Sequence, residues 1–357
     1  MKKTSVVSTA AILPERLVSN REIGQMLIDG GRAVGLADSD AEAAVRTRAE
    51  VIEDKTGLRT RRFFRSDESP AEVALALLER LMPDGDWGIL DAVIVSSSST
   101  QGFPGLSQQV VALARQAHAV VESPFVLDIN SNACTNFMYA LSVGCSLIQS
   151  MGYRRVACLA VEFASRCIAY NPRAFGISTL FGDAAAGILL GAGDDGPISV
   201  REARAGSKVH TSTIAHIKGG GIQASIPAAA VPENVKWYMS GPAVAVGATE
   251  ILVDEIRRYQ EAGHMIDWLL PHQANLTRIL LPACERAGVD QSRLMSTFAE
   301  TGNTSSASIP LLLDTLARSG KAKPGDNALL VGFGASFTLG SALMTFRTRE
   351  ALNNGSA

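Results

Sequence analysis

Short apolar runs alternate along this chain with amphipathic stretches, and this alternation restricts the fold more than any single residue does. Leu90–Ser97, the Pro-Phe-Val-Leu run from Pro124, Val156–Val161, Ala184–Leu190 and Ile266–Leu270 each have the length of one buried strand. Pro70–Leu81, Ser107–Ala117, Gly241–Ala262, Leu276–Ala287 and Ser308–Ser319 read as helices between and after them. Strands apolar throughout are covered on both faces, so the expected class is α/β, in layers around a largely buried sheet. The pattern also restarts. Leu90–Val95 followed by polar residues resembles Ile266–Leu270 followed by His272 and Gln273, and Gly-Asp turns at Gly182 and Gly325 lead into apolar strands. The expected organisation is two similar halves, 1–195 and 196–357, each an α/β/α sandwich.

Composition removes several function classes. Lys and Arg total 33 against 35 Asp and Glu, so no charge excess points to nucleic acid or an anionic membrane surface. The 5 cysteines show no paired spacing, which excludes a disulfide framework, and no Cys-x-x-Cys or His-x-x-x-His pair suggests a metal site. Lys2 and Lys3 precede a mildly apolar stretch, but Thr4, Ser8, Thr9 and Pro14 interrupt it, so Ser5–Ile12 reads as a first strand rather than a leader. The uncharged stretch Asn327–Phe346 carries Gly332, Gly334 and Gly340 among Ser336, Thr338 and Ser341, and reads as two buried strands around a turn. A reduced, soluble, cytoplasmic protein is the expectation. Asn20 is the expected cap of a helix over Ile23–Ile28, and Gly30–Arg48 a surface segment or short helices. The basic cluster Lys55, Arg59, Arg61 and Arg62 around a Thr-Gly turn is either a solvated loop or a phosphate contact.

Chemistry concentrates at three polar breaks. After the run at Pro124, Asp128, Asn130, Ser131 and Asn132 interrupt, and Ala133-Cys134 opens a stretch with Phe137, Met138, Leu141, Cys145 and Ile148 at helical spacing. Cys134 therefore stands where a strand feeds a helix, and free amides and the helix dipole there are expected to lower its pKa. Pro271-His272-Gln273 follows a buried strand, at the carboxyl end where open α/β sheets place ligands. Glu300–Ser308 sets Asn303 among small residues before a helix. The three breaks supply a nucleophile, a base or donor, and a second donor.

These clusters, with Phe181–Gly187, Gly302–Pro310 and Gly332–Ser341, resemble the β-ketoacyl-acyl-carrier-protein synthase III family of the thiolase superfamily over nearly the whole chain. The resemblance implies a duplicated five-layer α/β/α/β/α fold, a homodimer and a catalytic triad of Cys134, His272 and Asn303. It implies acyl transfer from acyl-CoA to Cys134, then decarboxylative condensation with malonyl-ACP or malonyl-CoA, with an acyl carrier protein as partner. These thioesters are substrates, and no cofactor, metal, nucleic acid or membrane is expected. The backbone N–H groups of Cys134 and Ala335 match the family's oxyanion hole. Phe333 and Phe103 match acyl-pocket positions, Phe103 reaching the neighbouring subunit, and Lys55 and Arg173 match CoA-binding cations.

The sequence also departs from the family pattern. Val51 replaces the aromatic that stacks on adenine, Val246 a basic carrier-docking residue, and Thr277, beside Arg278, an arginine. Thr135 and Asn136 are bulkier than the usual small pair, and Gly30–Arg48 is longer than usual. These changes fit a specialised relative, in secondary metabolism, better than the initiator of fatty-acid synthesis. Two competing functions remain open: an acyltransferase passing the Cys134-bound acyl group to an oxygen, nitrogen or non-malonyl carbon, and a non-catalytic subunit of a heterodimer.

Overall fold

The computed structural model describes residues 2–347 except 37, 83, 84, 100, 101, 121, 195, 209–214, 218–236, 335 and 336. Its strands are β1 (Thr4–Ile12), β2 (Arg16–Ser19), β3 (Thr60–Phe63), β4 (Leu90–Ser96), β5 (Phe125–Ile129), β6 (Arg155–Glu162), β7 (Ala184–Ala192), β8 (Ile198–Ser207), β9 (Ala215–Ile217), β10 (Trp237–Met239), β11 (Trp268–Pro271), β12 (Asn327–Phe333) and β13 (Thr338–Phe346).

Nine of them form one hydrogen-bonded sheet in the order β11-β12-β13-β8-β1-β7-β6-β4-β5. That order contains its own repeat. From β1 outward run an antiparallel β7, an antiparallel β6 and a parallel β4. From β8 outward run an antiparallel β13, an antiparallel β12 and a parallel β11. The two series meet where Thr4–Val6 of β1 pairs antiparallel with Ile198–Val200 of β8. The match ends at the edges. β5 pairs parallel with β4, whereas a single bridge from Leu294 to Leu269 stands beside β11.

Side-chain alternation along the strands builds the layers. Ala92, Ile94, Val156 and Cys158 on one side, and Ala328 and Leu330 on the other, pack on Phe137, Leu141, Ile309 and Leu312 of the helices Asn136–Met151 and Ser308–Ser319. The alternate residues Val93, Val95, Ala157 and Leu159 face outward onto Leu77, Leu78 and Val110. Leu329 and Val331 face outward onto Ile256 and Cys284. The result is five layers, with the two central helices shared by both halves. Close approach at the centre depends on glycine. A Cβ on Gly332 would lie 2.7 Å from Met138, and one on its cross-strand partner Gly340 would lie 2.4 Å from it. These two positions let the start of the helix Asn136–Met151 sit against β12 and β13.

Several local expectations change. The helix Asn20–Ala33 is capped by Ser19, whose hydroxyl accepts from the Glu22 amide, while Asn20 lies inside and its Nδ2 donates to the Leu58 carbonyl. Gly30–Arg48 is helical over most of its length, in Asn20–Ala33 and Ser39–Glu50. The basic cluster divides. Arg61 is fully buried and donates to Asn20 Oδ1 and the Thr179 carbonyl, Arg62 donates to the Pro14 carbonyl, and Arg59 pairs with Glu300. Arg61 is therefore neither solvated nor a phosphate contact. Leu276–Ala287 begins with a wide turn over Leu276–Leu280 before the helix Leu281–Ala287, and ends at Gly288 with φ +66°. Asn327–Phe346 is the antiparallel pair β12 and β13, and among the described residues no helix is long and apolar enough to cross a membrane. The glycine- and alanine-rich segment Lys218–Pro232, expected from its composition to be irregular, lies wholly outside the described residues.

Candidate active site

The nucleophile position is built by a strained turn. β5 ends at Ile129, and a single 3-10 turn, Ala133–Thr135, leads into the helix Asn136–Met151. Ala133 has φ +51°, a left-handed conformation that costs a non-glycine residue about 1–2 kcal/mol. Neighbouring side chains hold the turn. Asn136 Oδ1 accepts from the Asn132 amide at 2.8 Å, Thr338 Oγ1 donates to the Asn132 carbonyl at 2.9 Å, and Asn136 Nδ2 donates to Ser98 Oγ at 3.2 Å. Cys134 is half-buried and opens into a cavity. Ser305, itself at φ +49°, donates from Oγ to Cys134 Sγ at 3.6 Å.

The cavity measures about 380 Å³, and Cys134, His272, Asn303 and Phe333 line it together. His272 follows β11 and is buried, with Phe333 edge-on at 4.9 Å between ring centroids. Its Nδ1 lies 2.7 Å from Ser308 Oγ, and Ser308 Oγ also lies 2.9 Å from the Ser305 carbonyl. A hydroxyl has one proton for these two neighbours. Donating to the Ser305 carbonyl, it accepts from Nδ1–H and leaves the Nε2 lone pair free. Turned toward Nδ1, it leaves Nε2–H as a donor. Asn303 Oδ1 accepts from the Ser305 amide at 2.8 Å, and its backbone bonds to Leu180 and Gly182. Its side-chain N–H groups remain for the cavity.

Both titratable members are neutral near pH 7. Burial pushes the His272 imidazole down from 6.5 to about 3. Burial likewise pushes the Cys134 thiol up to about 12; the Ser305 hydroxyl pulls the other way, the nearby Glu162 adds to the rise, and the thiol's own backbone contact opposes it. This overturns the expectation of a thiol already acidified by the helix end. Removing a thiolate from water costs more here than the adjoining donors return.

Toward its opening the cavity changes character. Val51, Ile52, Val244 and Ile279 give apolar wall, while Arg48, Lys55 and Arg278 bring exposed cations. Of the two cations matched to CoA binding, Lys55 lines this cavity, whereas Arg173 is exposed in the turn Pro172–Ala174 and does not. Phe103 is fully exposed and also outside the wall. Ala335 lies outside the described residues. Sequence reasoning missed Arg48, whose guanidinium sits 3.8 Å over the Phe175 ring. Its spacing was a signal: Arg48, Val51, Ile52 and Lys55 lie at positions i, i+3, i+4 and i+7, one face of two consecutive helices.

Comparison with known proteins agrees with this architecture. The family described as 3-oxoacyl-[acyl-carrier-protein (ACP)] synthase III matches residues 127–208, and its C-terminal family matches residues 258–346. The structure is similar to 3-oxoacyl-(acyl carrier protein) synthase III from Pseudomonas aeruginosa, at 26% identity and TM-score 0.77 over 97% of this chain and 99% of that one. The synthase III of Thermus thermophilus gives 26% identity and TM-score 0.77 over 96% and 99%. A priming β-ketosynthase of a polyketide biosynthetic pathway gives 28% identity and TM-score 0.78 over 96% of each chain. With its thiolase-like layers and both family regions in order, the chain belongs to the 3-oxoacyl-[acyl-carrier-protein] synthase III family of condensing enzymes.

Proposed function

We propose that this protein transfers an acyl group from acyl-CoA to Cys134 and then condenses it, with loss of CO2, onto a malonyl thioester. The observation that carries this reading is the single cavity. The buried imidazole and carboxamide line it together with the thiol, and three exposed cations line it as well. Arg48, Lys55 and Arg278 suit the phosphates of a CoA thioester, and the apolar wall between suits its pantetheine arm.

In the first step Cys134 must lose its proton as it attacks, because its thiol is neutral. His272, in the tautomer with Nε2 free, takes that proton while the Sγ–acyl bond forms. The C–S bond to CoA breaks, and the CoA thiolate leaves with the proton from Nε2. In the second step the malonyl C–C bond breaks, CO2 departs, and the electron pair delocalises onto the thioester oxygen as an enolate. The Asn303 carboxamide, and His272 in its other tautomer, donate hydrogen bonds to that oxygen. The enolate carbon bonds to the acyl carbonyl carbon, Cys134 leaves as thiolate, and a proton from water restores the thiol. Backbone N–H groups of Cys134 and Ala335 are the proposed oxyanion hole. His272 therefore serves both steps.

A homodimer completes the reading. β5 lies at the sheet edge with all its residues at least partly exposed, unlike the buried interior strand β6, and Phe103 projects nearby in sequence with its side chain entirely exposed. The thioesters act as substrates, and the reading assigns no cofactor. Intact-protein mass spectrometry after incubation with a panel of acyl-CoAs tests the first step. Release of CO2 from malonyl-CoA and malonyl-ACP tests the second. An acyl-enzyme that forms without CO2 release would move the function to acyl transfer onto a different acceptor, and absence of any acyl adduct would overturn both steps.

A further inference from the structure

Behind the cavity wall lies a carboxyl group that the steps above do not use. Glu162 ends β6 and is wholly buried. Its Oε1 accepts from the Ser98 amide at 3.0 Å, the Ser306 amide at 3.2 Å and the Ser306 hydroxyl at 2.5 Å, and its Oε2 accepts from the Ser99 hydroxyl at 2.9 Å. Four donated hydrogen bonds, two of them from backbone amides, favour the charged form of this carboxyl over the neutral one. No ion pair holds Glu162 among the described residues. Burial raises its pKa above the ordinary carboxylate value, and the four donors offset part of that rise. An unpaired buried charge is costly to keep, and such groups concentrate at functional sites.

Its neighbours say what it touches. Ser98 and Ser99 follow β4 in the amino-terminal half, and Ser306 follows Asn303 in the carboxyl-terminal half. Ser98 Oγ lies 3.2 Å from Ser305 Oγ, and Ser305 reaches Cys134 Sγ by its hydroxyl and Asn303 Oδ1 by its amide. One carboxylate therefore ties both loops together, one residue removed from the nucleophile and from the carboxamide.

We propose that Glu162 is the positioning residue of this site: it clamps the Asn303–Ser306 loop onto the Ser98–Ser99 loop, and its fixed charge keeps Cys134 a thiol until an acyl donor is seated. A negative charge disfavours a neighbouring thiolate. The thioester formed on acylation is uncharged, so the penalty falls on the free nucleophile and not on the acyl-enzyme. Cys134, linked to this carboxylate through Ser305 and its neighbour Ser306, is the thiol whose ionisation the charge opposes. The Cys167 thiol donates to the Ser99 carbonyl at 3.6 Å, and His272 is linked to this region through Ser308 and the Ser305 carbonyl. No lysine or arginine of β4, β6 or the two loops bonds to Glu162.

The inference rests on Cys134 being the nucleophile, and alkylation of the full-length free enzyme by iodoacetamide reads that thiol without any substrate. In Glu162→Gln the pH midpoint of Cys134 alkylation should fall by about one unit or more. An unchanged midpoint in a folded Glu162→Gln protein overturns the charge role. Ser306→Ala removes one arm of the clamp and keeps the charge. Its condensation kcat should fall about tenfold with KM for acyl-CoA within about twofold, and Ser306→Thr should recover part of the loss. An unchanged kcat in Ser306→Ala overturns the clamp. Should Glu162→Gln fail to fold, Glu162→Asp keeps the charge at shorter reach. It should keep the parent alkylation midpoint with a lower kcat, and a midpoint lowered by about one unit there overturns the charge role. An enzyme that still forms its acyl adduct while these shifts are missing defeats this inference alone, whereas loss of the adduct in the parent defeats the functional reading.

Discussion

The turn that carries Cys134 and the turn that carries Ser306 are counterparts in the two halves of the sheet. Each is a single 3-10 turn, Ala133–Thr135 and Ser305–Ala307, that opens a central helix. Each begins with a non-glycine residue held left-handed, Ala133 at φ +51° and Ser305 at φ +49°. The second position of the turn then diverges. Cys134 is half-buried and looks into the cavity, while Ser306 is 1% exposed and bound to Glu162. The third strands of the two series diverge in the same way: β12 ends in Phe333, which lines the cavity, and β6 ends in Glu162, which does not. One backbone device thus appears twice, as a reactive turn and as a braced one. What separates them is access and partner, not local conformation.

The largest expected effect breaks the reactive turn. Cys134→Ala should abolish the acyl adduct in intact-protein mass spectra, and adding Ser306→Cys should not restore it, since the braced turn has no opening to the cavity. An adduct mapped to Cys145, Cys158, Cys167 or Cys284, or to a cysteine at 306, would end the distinction between the turns.

The donors come next. His272→Ala should slow both acylation and malonyl decarboxylation, because a thiol pushed up to about 12 needs a base and the enolate needs a donor. Asn303→Ala should slow decarboxylation by about 10²-fold or more, the usual scale for one oxyanion donor, and acylation far less. Single-turnover acylation measured beside CO2 release separates the steps. Full-rate acylation in His272→Ala would restore the helix end as the activating element.

Acid stability reports the burial of His272 itself. Its imidazole titrates at about 3 when folded against 6.5 when unfolded, so the unfolded chain binds the extra proton between those values. Stability should therefore fall as pH drops through that window. Asp183, raised by burial from 3.8 to about 6, has the opposite sign and loses its contribution as pH rises across its own window. Comparing thermal midpoints of the parent and His272→Gln from pH 7 to pH 4 isolates the histidine: the parent should lose more. Parallel curves would place His272 in contact with water.

The smallest effect tests the sheet edges. β5 has partly exposed residues throughout, while its counterpart is reduced to the Leu294 bridge. If the β5 side meets a second subunit, Phe103→Ala should admit longer acyl chains without loss of folding, since a packed wall resists added methylenes by about 1–3 kcal/mol. Acyl-CoA length profiles and sedimentation read both points. An unchanged profile, or a monomeric parent, removes Phe103 from the pocket.

The sequence by itself determined the parts that depend on neighbouring residues. Apolar runs and amphipathic spacing gave β4, β6 and β7 and the helices Pro70–Leu81 and Ser308–Ser319 within a residue or two. The polar breaks marked Cys134, His272 and Asn303 as the site, and all three line one cavity. Tertiary structure decided what burial and distant partners control. Arg61, read as part of a basic loop, is buried because the Thr179 carbonyl, 118 residues away, receives its guanidinium. Glu162 stands just past the apolar run Val156–Val161, and only the Ser306 loop, 144 residues on, makes it a braced carboxyl. The ionisation of Cys134 belongs to the same class. A helix start can be read from consecutive residues, but the cost of desolvating a thiolate is set by every layer packed around it.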